Sequence, residues 1–214
     1  MSTVIPHLLL IGLGASVSPV AVMLLISVML KKNPRRNSLL FILGYTAALV
    51  ALGVVVVYIF HLGGGGGTHK IDGFIDLSLG AICFLAVPYS LRKKDRKRAP
   101  GAESGLTAFR SFSLGSMVLL LNPSTYLIFI SGLHAISVAR LGRQDVLLAI
   151  AFLTLVTLVT LLIPIIIFFV IPRTARKVLD FLKAWLTKHN RVIGVAVLLI
   201  FGVYLLTKGL RILL

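Results

Sequence analysis

The sequence predicts an all-α integral membrane protein: six transmembrane helices arranged as two inverted three-helix repeats, with helices 1 and 4 broken at proline and both termini outside. Three observations carry this. The 214 residues are 58% hydrophobic and 13% charged, with a mean hydropathy of +1.04, more apolar surface than a soluble domain of this size can hide. Apolar runs long enough to cross a bilayer recur along the chain. Two of them, "GASVSPVAVMLLISVML" and "MVLLLNPSTYLIFISGLH", carry a proline behind a small polar residue, Ser18-Pro19 and Asn122-Pro123. They also share an Ile-Ser pair at the same offset, Ile26-Ser27 and Ile130-Ser131.

The segments follow from where charge interrupts the apolar runs. The first, about 4–30, ends at Lys31-Lys32. The second, about 37–61, opens after Arg35-Arg36 and stops before five consecutive glycines in "HLGGGGGTHK", a flexible connection. The third, about 72–91, runs into "RKKDRKR". The fourth, about 113–139, follows Arg110 and reaches Arg140; the fifth, about 145–171, runs to Pro172; the sixth covers about 190–211. Each can span a hydrocarbon core of about 30 Å at about 1.5 Å per residue. Between the last two lies "PRTARKVLDFLKAWLTKHN", in which Val178, Leu182 and Trp185 share one helical face. The pattern predicts an amphipathic helix on the inner surface with Trp185 at headgroup depth; the plainer alternative is that the stretch extends helix 5 or 6. The chain divides into a first three-helix repeat (1–91), a basic cytoplasmic linker (92–112) and a second repeat (113–214) that includes the amphipathic stretch near 172–189.

Charge sets direction. Of 22 basic residues, 17 fall between segments 1 and 2, 3 and 4, and 5 and 6. The positive-inside rule places those loops in the cytoplasm of a multi-pass plasma-membrane protein. The net charge of +16 is then a set of anchors facing anionic lipid headgroups, not a nucleic-acid surface. No cleavable signal peptide is expected. The single cysteine, Cys83, excludes an internal disulfide and a CxxC pair.

A proline inside a helix frees backbone polar groups that hydrocarbon cannot satisfy. Such breaks persist where they line a polar cavity or find neighbours. Ser18 and Asn122 are short polar side chains suited to cap the half-helices that follow. A half-helix N-terminus carries partial positive charge and N–H donors suited to a carboxylate or phosphate. Paired across an inverted repeat, the two breaks form one midplane site, as in secondary transporters. Packing kinks are the plainer alternative. The expected substrate-binding residues are Ser18, Pro19, Asn122, Pro123, Tyr126 and Thr157, with Asp76 as the proton-coupling candidate because it is an intramembrane acid. The alternative for Asp76 is an interfacial carboxylate near the helix N-terminus, stabilised by the macrodipole; its neighbour Asp72 reads as interfacial. Tyr45, Ser124, Thr125, Ser131, Thr154 and Thr160 line a pathway or join helices. His7, His61, His69 and His134 do not form an expected metal site. No nucleophile–base constellation and no ATP-binding motif is present, so no enzyme activity and no cofactor are expected.

The "NPSTYL" segment, the proline-broken helices and the tail "LKAWLTKHNRVIGVAVLLIFGVYLLTKGL" resemble the lysine-exporter (LysE) superfamily, and within it the family named for glycopeptidolipid and sulfolipid addressing (GAP family). The resemblance covers essentially the whole chain. It implies export or transbilayer movement of lipid-linked material, with membrane lipids and a lipid-like or anionic small molecule as partners and a homodimer as the assembly. Relatives often carry an acidic residue where this chain has Ser18, which puts a carboxylate mechanism at that break in doubt. A sister group moves electrons through paired membrane cysteines, a route closed to a chain with Cys83 alone. The function expected is a small secondary exporter working by alternating access. The alternatives are an amino-acid or small-metabolite exporter on the same scaffold and a non-transporting membrane partner of a lipid synthesis or export complex.

Overall fold

In the computed structural model the described residues are 4–31, 33–62, 69–92, 107–139, 141–170 and 172–213. They form eight helices: α1 (Val4–Ser16), α2 (Pro19–Met29), α3 (Pro34–Leu62), α4 (His69–Arg92), α5 (Ala108–Leu121), α6 (Pro123–Val138), α7 (Arg143–Val170) and α8 (Pro172–Leu213). The glycine run and the linker stretch 93–106 lie outside the described residues, as do the side chains of His61, His69 and Asp72.

The prolines divide the first and fourth expected segments where predicted. Pro88 and Pro164 lie inside α4 and α7 without ending them, but at Pro19 and Pro123 the preceding residue takes the extended region that a following proline favours. Accordingly Ser18 sits at φ −123°, ψ 82° and Asn122 at φ −112°, ψ 88°, nearly the same backbone conformation. Each following helix restarts on the carbonyl of that residue, through Val22 N–H to Ser18 O (3.1 Å) and Tyr126 N–H to Asn122 O (3.4 Å). The chain turns by 58° between α1 and α2 and by 70° between α5 and α6.

Helices α3, α7 and α8 are each long and apolar enough to cross a membrane, and five spans result if each bent pair is one crossing. In α4 the apolar stretch is shorter, Gly73–Pro88. The exterior is greasy: Leu10, Leu43, Tyr58, Leu85, Leu148, Leu155 and Ile200 are all half or more exposed, while Ser18, Asn122, Thr125, Asp76, His134 and Thr157 are buried. Polar inside and apolar outside is the distribution a lipid-facing protein requires. The chain is a membrane protein.

Two features differ from the sequence expectation. The 172–189 stretch is not a separate segment but the first part of α8, one continuous helix of 42 residues. At about 1.5 Å per residue α8 is about 63 Å long, twice a hydrocarbon core, and its charged first half is the part that need not enter lipid. Within that half Ala175, Leu179 and Leu186 are buried, while Val178 and Trp185, on the face expected at headgroup depth, are turned away from the protein. α5, for its part, starts at Ala108, inside the expected linker, where the Arg110 N–H donates to the Thr107 side chain (3.4 Å).

Packing pairs α4 with α8, α3 with α5, α1 with α7, and α1 with α6; smaller contacts join α2 to α5, α7 and α8, α4 to α6, and α3 to α6 and α7. The α3–α5 crossing is a backbone contact. A Cβ on Gly44 would overlap the Phe112 carbonyl and one on Gly115 the Phe41 carbonyl, and Ser116 Oγ donates across to Gly44 O (3.0 Å). Small residues that let membrane helices touch replace the hydrophobic driving force that lipid removes.

Candidate functional site

The two breaks meet. The Asn122 side-chain amide donates from Nδ2 to Ser18 Oγ at 2.6 Å, across 104 residues of sequence, and to Thr125 Oγ1 at 3.0 Å. Ser124 Oγ donates to Asn122 Oδ1 at 2.8 Å. The Tyr45 hydroxyl of α3 has Thr125 and Ser18 as its polar neighbours. All five side chains are buried. On the α1 side of the break, Thr160 Oγ1 of α7 donates to Ser16 Oγ (3.0 Å), which donates to Leu13 O (2.7 Å).

This geometry corrects one expectation. Ser18 and Asn122 occupy N-cap positions, but neither side chain caps its helix. They are turned toward one another. Asn122 presents an amide with two donors and a carbonyl oxygen, and Ser18 a hydroxyl able to accept, so the pair satisfies polar atoms that would each cost several kcal/mol in hydrocarbon, on the order of 2–7. The helix starts keep their backbone N–H groups, and neither α2 nor α6 has an acidic residue in its first turn. Two partly positive helix ends therefore converge on a neutral, hydroxyl-rich cluster.

The other expected residues divide. Pro19 is buried and Pro123 opens α6. Tyr126 is half-buried and packs against apolar side chains. Thr157 is buried, but its hydroxyl donates to Leu153 O of its own helix (2.8 Å), so Thr160 and not Thr157 makes the polar link from α7. Ser131 and Thr154 are buried with hydroxyls that have no hydrogen-bond partner.

Asp76 belongs to a second cluster. Its side chain is 1% exposed, with Lys208 Nζ of α8 at 2.7 Å from Oδ2 and His134 Nδ1 of α6 at 3.3 Å from Oδ1. A carboxylate only accepts, so the imidazole donates in this contact when Asp76 is ionised. Lys208 and His134 were missed as partners. The signal was available in principle: an acid and a lysine near corresponding ends of apolar segments, neither affordable alone in hydrocarbon, must find each other. Along α6, His134 lies 12 residues beyond Asn122, about 18 Å on the helix axis, so the same helix carries both clusters.

A sequence model of the family described as "Sap, sulfolipid-1-addressing protein" matches residues 8–211. The chain belongs to that family. The match runs from α1 to the end of α8 and includes both breaks and all three members of the Asp76 cluster. No curated protein and no solved structure matches. Membership ties this membrane protein to the addressing or export of sulfolipid.

Proposed function

We propose that this member of the sulfolipid-1-addressing family is a small secondary transporter of the plasma membrane, moving a lipid-linked or anionic amphiphilic substrate by alternating access at the two breaks. The observation that carries this reading is the Asn122–Ser18 contact, which joins the two interruptions in one buried polar cluster. Its hydrogen bonds are neutral and exchangeable, worth about 1 kcal/mol each, and a sulfate, phosphate or carboxylate can replace them at two converging helix starts.

The proposed architecture is six spans in two inverted halves, with the termini outside. Packing supports it. Exchanging α1 for α5, α2 for α6, α3 for α7 and α4 for α8 turns the α3–α5 contact into α7–α1, α1–α6 into α5–α2, α2–α8 into α6–α4, and α3–α6 into α7–α2; all of these pairs touch. The α4–α8 pair maps onto itself. The matched backbone angles at Ser18 and Asn122 follow the same exchange. In this state the cluster is closed, and opening separates Ser18 from Asn122 toward one side at a time. Asp76, between Lys208 and His134, is the proposed proton-coupling residue. Protonating it releases Lys208 and loosens the α4–α8 contact.

Purified protein in vesicles should accelerate transbilayer movement of a labelled anionic lipid. Asn122→Ala should lower the rate about tenfold at equal folded abundance, and Ser131→Ala less than twofold. Asp76→Asn should remove the dependence on a pH gradient. Equal rates for Asn122→Ala and Ser131→Ala would contradict a site at the breaks.

A further inference from the structure

A cavity of about 480 Å³ opens at the turn between α2 and α3, lined by Asn33, Pro34, Arg35, Arg36 and Phe168. We propose that it holds the phosphate headgroup of an anionic phospholipid from the adjoining leaflet, a resident lipid distinct from any transported molecule. Depth is the first argument. The cavity lies where two spans end, at the start of α3 and the last turn of α7, so it sits at the hydrocarbon boundary whichever way the chain is oriented. Composition is the second. Two guanidiniums and an amide side chain supply positive charge and neutral polarity, and among the described residues that line it none is acidic. Phe168 and Pro34 supply an apolar wall for the glycerol and the first methylenes of the acyl chains. A guanidinium presents a planar fork of donors suited to phosphate, and basic pockets at the ends of membrane helices suit anionic headgroups.

The local structure holds the arginines in place. Asn33 takes a left-handed conformation (φ 55°), which Asn tolerates better than most residues, and its carbonyl accepts the Asn37 N–H (3.1 Å) to start α3. The Arg35 guanidinium lies over the Phe169 ring, 5.5 Å from its centroid, a cation–π contact that keeps it at the interface. Among the described residues no carboxylate pairs with Arg35 or Arg36. The volume falls within the range of about 300–1,000 Å³ typical of small-ligand sites, enough for a phosphoglycerol headgroup and not for a whole lipid.

The test is native mass spectrometry of the full chain released from nanodiscs containing equal phosphatidylglycerol and phosphatidylcholine. Wild type should retain one phosphatidylglycerol in preference to phosphatidylcholine. Each juxtamembrane basic residue contributes about a fivefold preference at an anionic surface, so R35Q/R36Q should lower retention about 25-fold and R35K/R36K should keep most of it. R143Q, at the opposite end of α7, should leave retention unchanged. No preference in wild type overturns the proposal without reference to any variant. So does equal retention in wild type and R35Q/R36Q, or an equal loss in R143Q, which would mark diffuse attraction to the surface instead of a site.

Discussion

At the breaks, Ser18, Asn122, Ser124 and Thr125 meet through neutral hydrogen bonds. At the other end of α6, Asp76 is held by the ammonium of Lys208 and the imidazole of His134. The break cluster is buried, as are Asp76 and His134, while Lys208 is half-buried; both clusters join the first three expected segments to the last three. They differ in what rearrangement costs. Interhelical hydrogen bonds in membranes contribute about 0.6 kcal/mol on average and about 1.7 at most, so the breaks can part and re-form, or accept a ligand's oxygens, at small cost. Separating a buried ion pair leaves an unpaired charge in hydrocarbon, a loss of about 3–5 kcal/mol. The neutral cluster is built to move, while the charged one holds until its charge is removed.

The largest effect is therefore expected at the charged cluster. Lys208→Met leaves the Asp76 carboxylate with His134 alone and should destabilise the protein by about 3 kcal/mol, read as a lower midpoint of thermal unfolding in detergent. The double variant Asp76→Asn/Lys208→Met removes both charges and should recover most of that loss. If the single and double variants are equally unstable, the pair is not the lock described. Next comes Asn122→Ala, which deletes the hub of the break cluster and leaves Ser124 without its acceptor. It should cost about 1–2 kcal/mol, with a larger proportional loss of transport than of stability. Smaller again is Ser18→Ala. In a double-mutant cycle with Asn122→Ala it should reveal a coupling of about 1 kcal/mol; zero coupling would mean that the 2.6 Å contact carries no energy. The smallest effect belongs to Ser131→Ala. Its buried hydroxyl has no partner, so removing it should be neutral or slightly stabilising.

Legibility followed the range of the physics. Pro19 and Pro123 act on their own neighbours, and the breaks fell where the sequence placed them, with the preceding residue in the extended region that a following proline favours; the same local rule does not break α4 at Pro88 or α7 at Pro164. The apolar spans of α3 and α7 were equally plain, because length and hydropathy decide them. The partners were not legible. Local rules assign Ser18 and Asn122 to capping, since that is what such residues do at helix starts in water. Here the competing partner lay on the other break, and a buried contact between helices displaced the cap. Asp76 was singled out as an intramembrane acid, but Lys208 lies 132 positions away and His134 lies 58 away, and no periodicity links them. In the first half of α8, Val178 and Trp185 are exposed on the face that the pattern assigns to the headgroups, whereas the contact of Thr187 with Met23 on α2 joins residues too far apart in sequence for any periodicity to show.

The account depends on the two breaks opening onto water in some state of the cycle. The direct measurement is labelling of Asn122→Cys, on a Cys83→Ser background, by a membrane-impermeant thiol reagent added to one side of sealed vesicles and then to the other. Alternating access predicts labelling from both sides, slowed by an anionic lipid substrate. A cysteine at that position that stays unreactive from both sides, in protein shown to be folded, would contradict it.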